Sequence, residues 1–163
     1  MKEIIIHQAQ NKDQIVNFDN ESENINVVPQ TDVVLKNEKI LIVDDNKLNI
    51  KVAKRILESL NYSVDESESG FDCLSKINGG NIYDLILMDI MMPEMDGTET
   101  FKKLKSIDNF SAPVIALTAD AVAGAREKYL TIGFDEYLSK PFTKEQLQEE
   151  IELVFNNKKI NSL

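Results

Sequence analysis

The sequence predicts an α/β fold: a (βα)5 unit over residues 39–157, in which five parallel strands form one doubly wound sheet with helices on both faces. Three observations carry that expectation. Short apolar runs have the length of strands, and segments with helical apolar spacing separate them. Glycines and capping residues stand at the joins.

In chain order, KILIV (39–43) leads into a helix over 46–60 that Asn46 can cap. The weaker run YSVDE (62–66) precedes a helix over 70–79, which Gly79-Gly80 ends. YDLILM (83–88) is followed by a loop shaped by Pro93 and Gly97 and then by a helix over 98–108. PVIALT (113–118) leads to a helix over 121–132 with Gly133 behind it. DEYLS (135–139) leads to the last helix, over 143–156, where Thr143 and Gln146 are spaced for a capping box. Leu147, Ile151, Val154 and Phe155 form one buried stripe along it. KILIV, YDLILM and PVIALT read as central strands covered on both faces, and right-handed crossovers then give the doubly wound arrangement.

With 163 residues and 42% hydrophobic content, the chain can enclose one good core plus an appendage. Residues 1–38, acidic and rich in Asn, read as a linker or partly ordered extension, and residues 158–163 as a short tail. No apolar run is long enough to cross a bilayer and no signal-peptide pattern opens the chain, so the expectation is a cytoplasmic segment, or the cytoplasmic part of a membrane-anchored protein. The net charge of −10 argues against direct nucleic-acid binding, which needs a basic face. Cys73 has no disulfide partner and, with His7 as the lone histidine, no zinc site; it reads as a small half-buried residue and His7 as a solvated or packing one.

In an open parallel sheet, groups just past the C-terminal strand ends meet in one crevice. Those ends carry Asp44 and Asp45 after strand 1, Asp89 after strand 3, Thr118 on strand 4 and Lys140 past strand 5. Crowded carboxylates share a cation or rise in pKa, and oxygen-only ligands favour a hard ion such as Mg²⁺. Beside a metal and an ammonium, Asp89 can act as a nucleophile toward a phosphoryl group whose oxygens Lys140 and Thr118 hold.

The motifs VDDN, LMDIMMPEMDG, ALTA and SKPF, in this order on a (βα)5 pattern, resemble the receiver domain of two-component response regulators, with its flavodoxin-like, CheY-like fold. The resemblance covers residues 39–156. It implies that Asp89 is the phosphoacceptor, that Asp44, Asp45 and Asp89 bind Mg²⁺ with the Met91 backbone carbonyl, and that Thr118 and Lys140 contact the phosphoryl group. It implies a switch through Thr118 and Tyr137, a cis bond at Pro141, and a histidine kinase or histidine phosphotransfer protein as partner. The chemistry it implies is self-catalysed: phosphoryl transfer followed by slow hydrolysis. Met91 adds an expectation of its own, because a thioether two residues after Asp89 orients an attacking water poorly and should slow that hydrolysis; Asp120 could meet the water instead.

The stretch DDNKLNIKVAKRIL, with Asn46 and Asn49, resembles the receivers of hybrid histidine kinases. A free-standing regulator and a pseudo-receiver that only binds proteins are the alternatives. A haloacid-dehalogenase-like phosphatase would want Asp-x-Asp after its first strand, where this chain has Asn46.

Overall fold

A computed structural model of the protein describes residues 36–120 and 122–160. The first 35 residues of the expected linker, His7 among them, and residues 161–163 lie outside the described part.

Among the described residues, strands and helices alternate: β1 (Lys39–Val43), α1 (Lys47–Ser59), β2 (Ser63–Ser67), α2 (Gly70–Asn78), β3 (Leu85–Asp89), α3 (Gly97–Lys105), β4 (Val114–Thr118), α4 (Ala125–Ile132), β5 (Glu136–Ser139) and α5 (Lys144–Ile160). Every strand pairing is parallel, in the order β2-β1-β3-β4-β5. β1 and β3 are therefore neighbours at the point where the winding reverses, and a crevice opens beyond their C-terminal ends.

Continuous apolar runs are needed because each central strand feeds two cores. Ile40, Ile42, Leu85, Leu87, Ile115 and Leu117 pack against α1 and α5 through Ile50, Leu57, Leu147 and Ile151. Leu41, Val43, Ile86, Met88, Val114 and Ala116 face the other way, toward Phe101 and Leu104 of α3 and Tyr129 of α4. Each fully buried side chain of this kind contributes about 1.5–3 kcal/mol. Cys73 lies in the second core with no exposed surface. Burial pushes its thiol up to about 12.

β2 reads weakly because it is an edge strand. Its charged side chains are matched from the flank: Asp65 accepts from the Tyr83 hydroxyl at 2.6 Å and from Lys76 at 2.9 Å, and Glu66 pairs with Lys54. Such charges discourage edge-to-edge association.

The expected caps form. Asn46 accepts from the Leu48 N–H at 2.9 Å, and Thr143 and Gln146 exchange hydrogen bonds at 2.9 and 3.2 Å. Gly133 ends α4 with φ +112°. Three helices differ from expectation by three residues or more. α3 ends at Lys105, not 108. α4 begins at Ala125, not 121, because Gly124 before it sits at φ +83°, a left-handed conformation that cannot continue a helix. α5 continues past 156 to Ile160, with Lys158 and Lys159 in its last turn, where cations favour the helix C-terminus.

Candidate functional site

Four strand ends deliver the side chains predicted from sequence. β3 ends on Asp89 itself. Just past β1, the Asp44 N–H donates to the Ser67 carbonyl at 3.1 Å, which fixes the backbone that carries both aspartates. Beyond β5, the Lys140 N–H donates to the Thr118 carbonyl at 2.7 Å and aims the lysine back across the sheet edge. The peptide bond from Lys140 to Pro141 is cis.

These constraints gather the acids. Carboxylate oxygens of Asp44, Asp45 and Asp89 lie within 4.8 Å of one another, with Asp44 and Asp89 buried and Asp45 exposed. Lys140 Nζ bridges two of them, 2.6 Å from Asp44 Oδ2 and 2.9 Å from Asp89 Oδ1. Burial pushes the Asp89 carboxyl above the ordinary aspartate range, and Asp44 adds to the shift, while Lys140 and the Met91 N–H oppose it. The donor set is oxygen alone, three carboxylates with one open to solvent, and it fits a hard divalent cation that retains water ligands.

Met91 takes part through its backbone. Its N–H lies 3.3 Å from Asp89 Oδ1, whereas the residue as a whole is 69% exposed. Met92 turns into the core beside Ile90, and Met91 projects outward. Gly97 closes the loop by donating to the Ile90 carbonyl at 3.0 Å, and a Cβ there would collide with the Asp89 carbonyl.

Thr118 is fully buried, and its Oγ1 accepts from the Asp120 N–H at 3.0 Å. Tyr137 is half-buried, stacks on Tyr129 with ring centroids 5.7 Å apart, and donates its hydroxyl to the Asp120 carbonyl at 3.0 Å. The two residues expected to switch thus meet on the backbone of Asp120.

Sequence reasoning missed two features. Asn49 donates to both Asp44 oxygens at 3.2 Å, a contact across the β1–α1 junction that no spacing rule marks. A groove of about 450 Å³ also runs beside the acids, lined by Leu48, Val52, Ala119, Lys140, Pro141 and Phe142. Its signal was present: Leu48 and Val52 stand at i and i+4, off the α1 core stripe of Ile50, Ala53 and Leu57, and are 68% and 48% exposed.

The family model for the response regulator receiver domain matches residues 40–152. Histidine kinase 3 of Arabidopsis thaliana is 34% identical over 145 residues, covering 76% of this chain but 14% of that protein. Hybrid signal transduction histidine kinase L of Dictyostelium discoideum is 38% identical over 119 residues, covering 69% of this chain and 7% of that protein. Among solved structures, the receiver domain of a Pseudomonas aeruginosa sensor histidine kinase, described with a magnesium ion coordinated in its active-site cleft, is 36% identical with a TM-score of 0.63 over 70% of this chain and 93% of that one. A Francisella response regulator receiver domain gives 32% identity and a TM-score of 0.68, over 75% and 99% of the two chains. The chain thus belongs to the response regulator receiver domain family and is homologous to the receivers of hybrid histidine kinases.

Proposed function

We propose that this domain accepts a phosphoryl group on Asp89 from a phosphohistidine partner in a Mg²⁺-dependent reaction. The observation that carries it is the acid cluster of Asp44, Asp45 and Asp89 with Lys140 bridging Asp44 and Asp89. Asp44, Asp45, Asp89 and the Met91 carbonyl would hold the ion. When bound, Mg²⁺ would offset the repulsion between these acids and an incoming phosphoryl group.

The chain's own groups do the rest. Asp89 attacks phosphorus; the P–N bond breaks, a P–O bond forms, and the imidazole leaves with the electron pair. The Lys140 ammonium and the Met91 N–H both address Asp89 Oδ1 and orient the carboxylate. Lys140 and the Thr118 hydroxyl then hold phosphoryl oxygens, a charge-assisted arrangement in which positioning and electrostatics supply most of the catalysis. Thr118 Oγ1 also accepts from the Asp120 N–H, and Tyr137 donates to that residue's carbonyl, so a shift of Thr118 toward the phosphoryl group pulls on the Asp120 backbone. Movement at Thr118 therefore reaches the surface of α4, β5 and α5.

The partner is read as a histidine kinase or a histidine phosphotransfer protein, and the placement as a receiver of a hybrid kinase, in the cytoplasm or in the cytoplasmic part of a membrane-anchored protein. What supports this is homology to hybrid kinases many times longer than the chain and an exposed apolar groove beside the acids. Among the described residues, no helix is long and apolar enough to cross a membrane.

Incubation with acetyl phosphate and Mg²⁺ is expected to give one labile phosphate per chain, absent in Asp89→Asn and abolished by EDTA. Phosphate that persists in Asp89→Asn would overturn the assignment. A wild-type protein that takes none would mark a pseudo-receiver.

A further inference from the structure

Asn49 has a side chain that the proposed phosphoryl transfer does not use. It is the third residue of α1, the position from which a longer amide or carboxylate would reach back to the helix cap. Here the short side chain turns to Asp44, with its amide nitrogen 3.2 Å from both carboxylate oxygens. Asp44 is 2% exposed, so its charge depends on protein donors rather than on bulk water. Oδ1 accepts from the Asn46 N–H at 2.8 Å and from Asn49; Oδ2 accepts from Asn49 and from Lys140 at 2.6 Å.

Lys140 is the donor under competition. It also reaches Asp89 Oδ1 at 2.9 Å, and in the proposed reaction it turns toward phosphoryl oxygens. That turn takes the ammonium away from Asp44 Oδ2 and leaves the Asn49 amide on that oxygen. We propose that Asn49 is a positioning residue for phosphoryl acceptance: its amide keeps the Asp44 carboxylate oriented and paired while Lys140 is drawn to the phosphoryl group. The inference rests on the phosphoacceptor reading. A neutral donor suits the place, since an ammonium would cancel the acids' attraction for a cation and a carboxylate would add repulsion.

The test separates two affinities, both measured by calorimetry on the whole chain: Mg²⁺ alone, then beryllofluoride, a phosphoryl analogue, in saturating Mg²⁺. Asn49→Leu keeps the volume and removes the donors. Its Mg²⁺ affinity is expected to stay within about twofold of wild type, because Lys140 still pairs Asp44 before the analogue arrives; its beryllofluoride affinity is expected to fall at least roughly fivefold, as for a buried charged acceptor that loses a donor. Asn49→Gln, which keeps an amide, should recover part of the loss. Should Asn49→Leu not fold, Asn49→Ala carries the same two readouts. Equal loss of both affinities, or a wild-type beryllofluoride affinity in the donor-less variant, overturns the role of Asn49. A wild-type protein that binds no beryllofluoride and accepts no phosphate from acetyl phosphate overturns the phosphoacceptor reading instead.

Discussion

Met91 touches Asp89 through its N–H at 3.3 Å and sends its thioether outward. Sulfur of this kind offers a weak acceptor and no donor, so it holds an attacking water poorly. Asp120, two residues past Thr118, is exposed, with its N–H given to Thr118 and its carbonyl to Tyr137. Met91→Asn is expected to shorten the life of phospho-Asp89 severalfold, read as the decay of labile phosphate after acetyl phosphate is removed. An unchanged half-life would sink the idea. Residue identities in the cluster were legible from sequence, because acids, a hydroxyl and a lysine stood at the ends of four of the five strand-length runs. The clamp of Asn49 on Asp44 was not: it depends on the angle at which α1 leaves β1.

Loops and helix ends position those side chains. Gly97 opens α3 where the backbone passes against the Asp89 carbonyl, so Gly97→Ala forces the β3–α3 loop to move. We expect a loss of about 1–3 kcal/mol in denaturant unfolding. Weaker Mg²⁺ binding should accompany it, because Asp89 shifts with its carbonyl; unaltered stability would show that the loop yields freely. α4 is tied down by Arg126, whose guanidinium lies 2.6 Å from Glu136, a carboxylate 3% exposed on β5. Arg126→Ala takes the donor from Glu136 Oε2 and leaves the Tyr137 N–H on Oε1, and with the arginine half-exposed the expected cost is roughly 1–2 kcal/mol. A thermal melt that does not move would contradict it. The start of α4 escaped sequence reading because the alanines around 121–125 favour helix, and the left-handed turn at Gly124 is set by how the chain crosses from Thr118 to the second core.

Across the molecule, four aromatic rings connect α3 to the Tyr137 surface. Phe101 stacks on Phe134 at 4.1 Å, Phe134 meets Tyr129 edge-on at 5.9 Å, and Tyr129 stacks on Tyr137. Phe101 is 2% exposed, and Phe101→Ala is expected to cost about 3–5 kcal/mol in urea unfolding, since the cavity would open at the base of this ladder. A smaller loss would mean that the rings above collapse into the space. By itself the sequence determined the order of strands and helices, the two-faced burial of the central strands and the identity of the clustered acids, because hydrophobic spacing and residue type are properties of the chain alone. The shared reach of Lys140 between Asp44 and Asp89, the amide of Asn49 on Asp44, the outward turn of Met91 and the groove beside Leu48 came from folding. Each joins atoms far apart in the chain, or depends on the angle between elements, and distance and angle arise when the sheet brings its strand ends together.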